Sequence, residues 1–185
     1  MLVISEIDLA GDRIEIINTG STVENLSGYW FCNLWQGNPV YVPIDTGMII
    51  PGQSTSASLT LPAGGILTLQ STAAFVTNLR GELGLYANPN NFGDPANMRD
   101  YVSWGGDAIR DSVAAQLGIW VDGTSVNVSA IAAGQTIQLK YHEDGNSFSD
   151  YELAPSTLGV NQIPEPASAL LGAAGLLLLA HRRRQ

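Results

Sequence analysis

Lysine and cysteine occur once each in this 185-residue chain, at Lys140 and Cys32, and histidine twice, at His142 and His181. Each scarcity excludes something. One cysteine makes a disulfide within the chain impossible, so packing must hold the fold. On an apolar strand a lone cysteine reads as a small core residue. Ahead of the C-terminal tail only His142 is available, and it reads as a surface residue at the end of a strand. A nucleophilic triad or a zinc site therefore has little to draw on. No His-x-x-x-His, Cys-x-x-Cys, Gly-x-Ser-x-Gly or phosphate-cradling glycine loop occurs.

Basic charge is also scarce, with 8 Lys and Arg against 17 Asp and Glu. Three of the arginines are the terminal Arg182, Arg183 and Arg184. Without these and Glu165, 5 basic and 16 acidic residues remain, a net charge of −11 on the body. That balance argues against binding a phosphate backbone, so no nucleic-acid partner is expected. It favours solubility and affinity for divalent cations.

What the chain does have, over residues 1–161, is short strands separated by turn residues. Residues 1–7 read as a strand from the first position, and 13–17 alternate with Ile14 and Ile16 on one face. Further strands are expected at 29–35, 40–44, 57–61, 66–70, 83–86, 101–104 and 136–141, the last with Ile137, Leu139 and Tyr141 inward. Gly11-Asp12, Asn18-Thr19-Gly20, Pro51-Gly52, Asn88-Pro89 and Gly145-Asn146 supply turn chemistry between them. The spacing predicts an all-β antiparallel sandwich. Residues 107–118 break the pattern. Ile109, Val113 and Leu117 recur every four positions, with Asp107 as N-cap and Gly118 as stop, which predicts a short helical connection.

Two groups of side chains carry the candidate chemistry of the body. Glu143, Asp144, Asn146 and Asp150, with Ser147 and Glu152 nearby, gather oxygen ligands in one loop. Calcium favours such ligands, though the Asp-x-Asp-x-Asp-Gly spacing of an EF-hand is missing; the alternative is a solvated turn between the last two strands. Asp94, Asp100, Asp107 and Asp111 form a second acidic group around Trp104. It reads equally as helix capping and solubility. The four tryptophans, Trp30, Trp35, Trp104 and Trp120, read mainly as core, with stacking on sugar rings as the alternative. Trp30 and Trp35 fall on opposite faces of one strand, so one of the pair is expected to be exposed.

The tail, residues 162–185, has three parts. Pro164-Glu165-Pro166 fixes φ twice and removes two backbone donors, which keeps the triplet extended. Residues 167–180 are uncharged and are expected to form a helix in lipid. These 14 residues span about 21 Å at ~1.5 Å each, against roughly 30 Å of hydrocarbon, so thinning or snorkelling must close the gap. Arg182, Arg183 and Arg184 then place the C-terminus on the cytoplasmic side.

This tail resembles the PEP-CTERM sorting signal of Gram-negative bacteria. The resemblance implies an exosortase partner acting near Pro164-Glu165-Pro166. It implies transient residence in the inner membrane through residues 167–180, then delivery to the cell surface or extracellular matrix. Residues 1–7 carry no basic and long apolar leader, so the expectation is that the natural start lies upstream of Met1 or that the chain is a fragment.

The body resembles a lamin-tail domain in four stretches. These are Val3-Ile4-Ser5-Glu6-Ile7 with Arg13-Ile14-Glu15-Ile16-Ile17-Asn18-Thr19-Gly20; Val23-Glu24-Asn25-Leu26-Ser27-Gly28-Tyr29; Asp100-Tyr101-Val102-Ser103-Trp104-Gly105; and Ser156-Thr157-Leu158-Gly159-Val160-Asn161. Arg13 stands where the family usually has an aromatic, and Leu158 where it often has proline. The resemblance implies an immunoglobulin-like sandwich in which Leu26 plugs the core while Ser27-Gly28 turn the chain. It also implies recognition through strand edges and loops, without bond-making. The functional expectation is an exported, non-enzymatic surface or matrix interaction protein that needs no cofactor. The alternative is a calcium- or carbohydrate-binding module that meets matrix polysaccharide or other surface proteins. An extracellular hydrolase ranks third and requires two convergent carboxylates in a pocket.

Overall fold

Alternating and wholly apolar runs become eleven strands among the described residues. The structure, a computed structural model, describes residues 1–160 except 36, 37, 72, 73, 107 and 142, and except the side chain of Trp35. Pro164, Glu165, Pro166, Arg182, Arg183, Arg184, the run 167–180, His142 and the cap expected at Asp107 lie outside the described residues. In chain order the elements are β1 (Leu2–Asp8), β2 (Arg13–Asn18), β3 (Glu24–Asn25), β4 (Trp30–Trp35), β5 (Asn38–Pro43), β6 (Thr60–Leu61), β7 (Ile66–Gln70), β8 (Gly81–Tyr86), β9 (Met98–Trp104), α1 (Asp111–Gln116), β10 (Gln135–Leu139) and β11 (Tyr151–Pro155).

Two antiparallel sheets form the layers, in the orders β11-β10-β1-β2-β7 and β5-β4-β8-β9, with β3 and β6 as a separate short pair. The fold is all-β with little helix. Ile4, Ile7, Ile14, Ile16, Leu67, Leu69 and Ile137 line one side of the core. Phe31, Leu83, Leu85, Val102 and Trp104 line the other. Each such aliphatic side chain contributes about 1.5–3 kcal/mol through burial. Leu26 is wholly buried between the layers, and Gly28 turns the chain at φ 83°.

A bulge at Ser5 shifts the β1–β2 register between Ile4 and Glu6. Beside it, the Ile4 N–H leaves its own sheet and donates to Asp100 Oδ2 of β9 at 2.5 Å. Burial pushes that carboxyl up to about 8. The layers are thus joined by a polar tie as well as by apolar contact.

All four edges of the two layers are managed. Ile50 and Thr55 pair along β7, and Val126 pairs along β9 through Ser103 and Gly105. On β5, Pro39 and Pro43 lack donors on the same side of the strand as Tyr41. On β11, the Tyr151 N–H is taken by Phe148 O, and Pro155 has none to offer.

The structure corrects several expectations. Residues 57–59 form no strand, because Ser56 and Ser58 side chains capture local backbone groups and leave only β6 to pair. Tyr141 is 57% exposed, not inward: β10 ends at Leu139 and the chain turns there through Glu143 N–H to Lys140 O. The helix starts later than expected, at Asp111. Of its three spaced apolar residues only Val113 is buried, while Ile109 is 42% and Leu117 41% exposed. Gly118 ends the turn as expected, at φ 69°. Among the described residues no helix is long and apolar enough to cross a membrane.

Candidate functional site

The turn between β10 and β11 gathers the acidic loop residues. Glu143 and Asp144 are exposed, and Asn146 and Asp150 half-buried. Asp144 Oδ1 accepts the Asn146 N–H at 3.1 Å, while Asp150 holds main-chain bonds to Ser147 and Lys140. The Asp150 carboxyl is raised by burial and then by the charges of Asp144 and Glu143. Among the described residues no three His, Cys, Asp or Glu converge as a metal-binding group.

The second acidic group disperses. Asp94 accepts from Ala96 N–H at the start of a 3-10 turn, and Asp111 from Ser112 and Gly123. Asp100 lies between the sheets. Trp104 and Trp120 are buried, and Trp30 is half-buried.

Sequence reasoning passed over two polar sites that the fold assembles. The first is the outer face of the five-stranded sheet. Register places Gln138, Glu6, Glu15 and Thr68 in one row across β10, β1, β2 and β7. A half-exposed sheet would offer this row to water. Here residues 156–160 cross it. Glu6 accepts from Thr136 Oγ1, Ser156 Oγ, Thr157 N–H and Thr157 Oγ1 at 2.8–3.2 Å. Glu15 accepts from Ser5 Oγ at 2.7 Å and Gly159 N–H at 2.6 Å. Burial pushes the Glu15 carboxyl up to about 7. The cavity beside these two carboxylates is about 10 Å³, room for one water at most. It has no space for a glycoside.

The second is the outer face of the four-stranded sheet. Tyr41, Cys32, Gly84 and Tyr101 form a row across β5, β4, β8 and β9, with Trp30 and Tyr86 beside it on one side and Glu82 on the other. Residues 87–97 and 108–124 roof this face, through Phe92 on Tyr41 and Tyr86, Ile109 and Arg110 on Glu82, and Trp120 on Tyr101. Glu82 is wholly buried and accepts at Oε2 from Tyr101 OH and from the N–H groups of Ile109 and Arg110, each at 2.8–2.9 Å. A strand residue thus caps the start of α1, which has no side-chain cap of its own. Burial raises the Glu82 carboxyl against these donors. The Arg110 guanidinium lies beside Cys32 and donates to Tyr41 OH at 3.3 Å.

No family model matches the chain. No curated protein matches it.

Burial holds the thiol and the phenols of the second site in their neutral forms. Burial, with the Glu82 charge, pushes the Cys32 thiol up to about 12 and so keeps it protonated. Burial likewise raises Tyr86 and Tyr101 above the usual phenol range. Glu82 Oε1, Tyr86 OH and Arg110 Nε are buried without a protein partner. Two signals in the sequence pointed here: a lone acid in the apolar strand 81–86, and a lone aromatic, Phe92, within the asparagine-rich loop 88–94. A third feature, an open cleft of about 490 Å³, lies at the end of β9 beside Arg80, Gly106, Asn127 and Ser129.

Proposed function

We propose that this is an exported, non-enzymatic interaction protein of the bacterial surface or extracellular matrix, built on an immunoglobulin-like sandwich of lamin-tail type. The observation that carries the reading is the closure of the body at Gly159. Glu15 and Glu6 pin residues 156–159 to the first two strands, and the three-part tail follows within a few residues. The tail is therefore an appendage to a finished domain. Lamin-tail character is supported by the meeting of the first and fourth motif stretches through these same bonds. It is supported also by the buried Trp104, which donates to Asn78 O before the Gly105 corner.

In this reading residues 167–180 hold the chain in the inner membrane and exosortase cuts near Pro164-Glu165-Pro166. The body then reaches the surface or matrix. Blocked sheet edges and covered outer faces direct recognition to the loops. The test is expression of the full-length gene with and without Pro164, Glu165 and Pro166 in a host carrying exosortase. The intact protein is expected to be shortened and released; the deletion variant stays full-length in the membrane fraction. Identical processing of both would overturn the proposal.

A second reading is calcium binding at the β10–β11 turn, where Glu143, Asp144, Asn146 and Asp150 lie close in sequence; among the described residues no three His, Cys, Asp or Glu converge there as a metal-binding group. Calcium at a hundred times its Kd adds ~2.7 kcal/mol of stability. Thermal unfolding with and without calcium tests this, and an unchanged midpoint removes it.

A further inference from the structure

Phe92 sits at the centre of an aromatic box. Its ring stacks on Tyr41 at 4.2 Å and meets Tyr86 edge-on at 4.8 Å and Trp30 edge-on at 6.4 Å. Beneath the box lies Gly84, where an added Cβ would come within 2.6 Å of the Tyr86 ring. The polar floor is formed by Glu82, Tyr86 and Arg110, whose Oε1, OH and Nε have no protein partner. Glu82 and Tyr86 are both wholly buried. Buried polar atoms left unpaired are costly and point to a missing partner.

The loop that carries Phe92 is self-contained in its hydrogen bonding. Ala87 N–H bonds to Asn97 O at its base. The hydrogen bonds of residues 88–94 all close within residues 87–97, through Asn88, Asn91 and Asp94. Such a compact loop with adjoining ends can swing without breaking the strand ladder. Phe92 is its apolar link to the face below.

We propose that Phe92 is a plug in a binding site for a neutral sugar ring of a polysaccharide. With the plug displaced, Trp30 and Tyr41 offer flat faces to the C–H side of the ring. Glu82 Oε1, Tyr86 OH and Arg110 Nε then meet its hydroxyls, which both donate and accept. A purely apolar ligand leaves those three atoms unpaired. A polyanion is disfavoured by the net charge of −11 on the body. The site deepens the matrix-interaction reading and rests on it for the source of the ligand. The sorting assay does not measure it, so either can fail alone.

The full chain, kept soluble in a detergent without sugar groups, is titrated with dextran, a β-1,4-glucan oligomer, mannan and galactomannan, with alginate as the anionic control. Trp30 lies in the box, so tryptophan fluorescence reports occupancy. At least one neutral polymer is expected to bind and alginate is not. Phe92→Ala removes the plug and should tighten binding about tenfold, because less of the protein must rearrange. Phe92→Leu keeps apolar packing and serves if the alanine variant is unstable. Adding Arg110→Met to either variant should abolish the gain. Failure of every neutral polymer to bind the wild type and both plug variants overturns the proposal. So does equal binding of alginate, or loss of binding on Asn127→Ala in the distant cleft with none on Arg110→Met.

Discussion

Glu15 Oε2 accepts the main-chain N–H of Gly159 at 2.6 Å and so ties the second strand to the last described stretch of the body, 144 positions away. Removing the carboxylate strands the Gly159 N–H and leaves the Ser5 hydroxyl with its 3.3 Å contact to Glu15 O. Glu15→Ala is expected to destabilise the protein by about 2 kcal/mol, and Glu6→Ala, which strands more donors, by about 3 kcal/mol. Urea denaturation measures both. Limited proteolysis should show new cuts at residues 156–160 in both variants. Wild-type resistance there in either one contradicts the clamp.

The same burial sets a pH dependence. Glu15 titrates near 7 and Asp100 near 8 in the fold, against ordinary values of 4.5 and 3.8. Between those limits the folded chain holds protons that the unfolded chain has released. The stability these groups contribute is complete below about pH 4 and is lost as pH rises through 7 to 8. For Glu15 the full loss is on the order of 3 kcal/mol. The unfolding midpoint should fall between pH 5 and pH 8.5. Glu15→Gln and Asp100→Asn should each flatten the decline. A steeper decline in either variant contradicts the assignment.

Neighbouring glycines separate strain from collision. Gly105 and Gly106 both have positive φ, at 71° and 94°. A Cβ at Gly105 would collide with the carbonyl oxygen of Leu79, whereas at Gly106 it would meet open space. Gly106→Ala should therefore cost about 1 kcal/mol, from backbone conformation alone. Gly105→Ala should cost about 3 kcal/mol or more, since backbone must move. Equal losses in urea titrations would mean that the corner is held less tightly than its geometry indicates.

How much of this was legible depended on sequence distance. Ile14, Ile16 and Ile137 declared their strands by local alternation, whereas the core plug at Leu26 and the turn at Gly28 were expected only from the family resemblance. Glu6 and Glu15 looked like the wet side of half-exposed strands. They are dry only because residues 156–160 return across them, a contact no local pattern encodes. The same holds for Glu82, whose partners Ile109 and Arg110 sit 27 and 28 positions away. Tyr141 fits the alternation and fails the burial, since the strand stops two residues before it. Phe92 was visible as an aromatic in a polar loop, but its three ring partners come from β4, β5 and β8.

Cys32 offers a probe of how firmly the outer face is closed. It is wholly buried, and its thiol is pushed up to about 12 by burial and by Glu82, so little thiolate exists at pH 8. Reaction with a disulfide reagent at pH 8 therefore requires opening of the fold. Native protein is expected to react at least about a thousandfold more slowly than protein in concentrated urea, in line with a stability of several kcal/mol. Comparable rates would mean that the face opens readily without global unfolding. Glu82→Gln removes the nearby carboxylate, so any native-state labelling of Cys32 at a fixed extent of opening should become faster, because the thiolate is then less disfavoured.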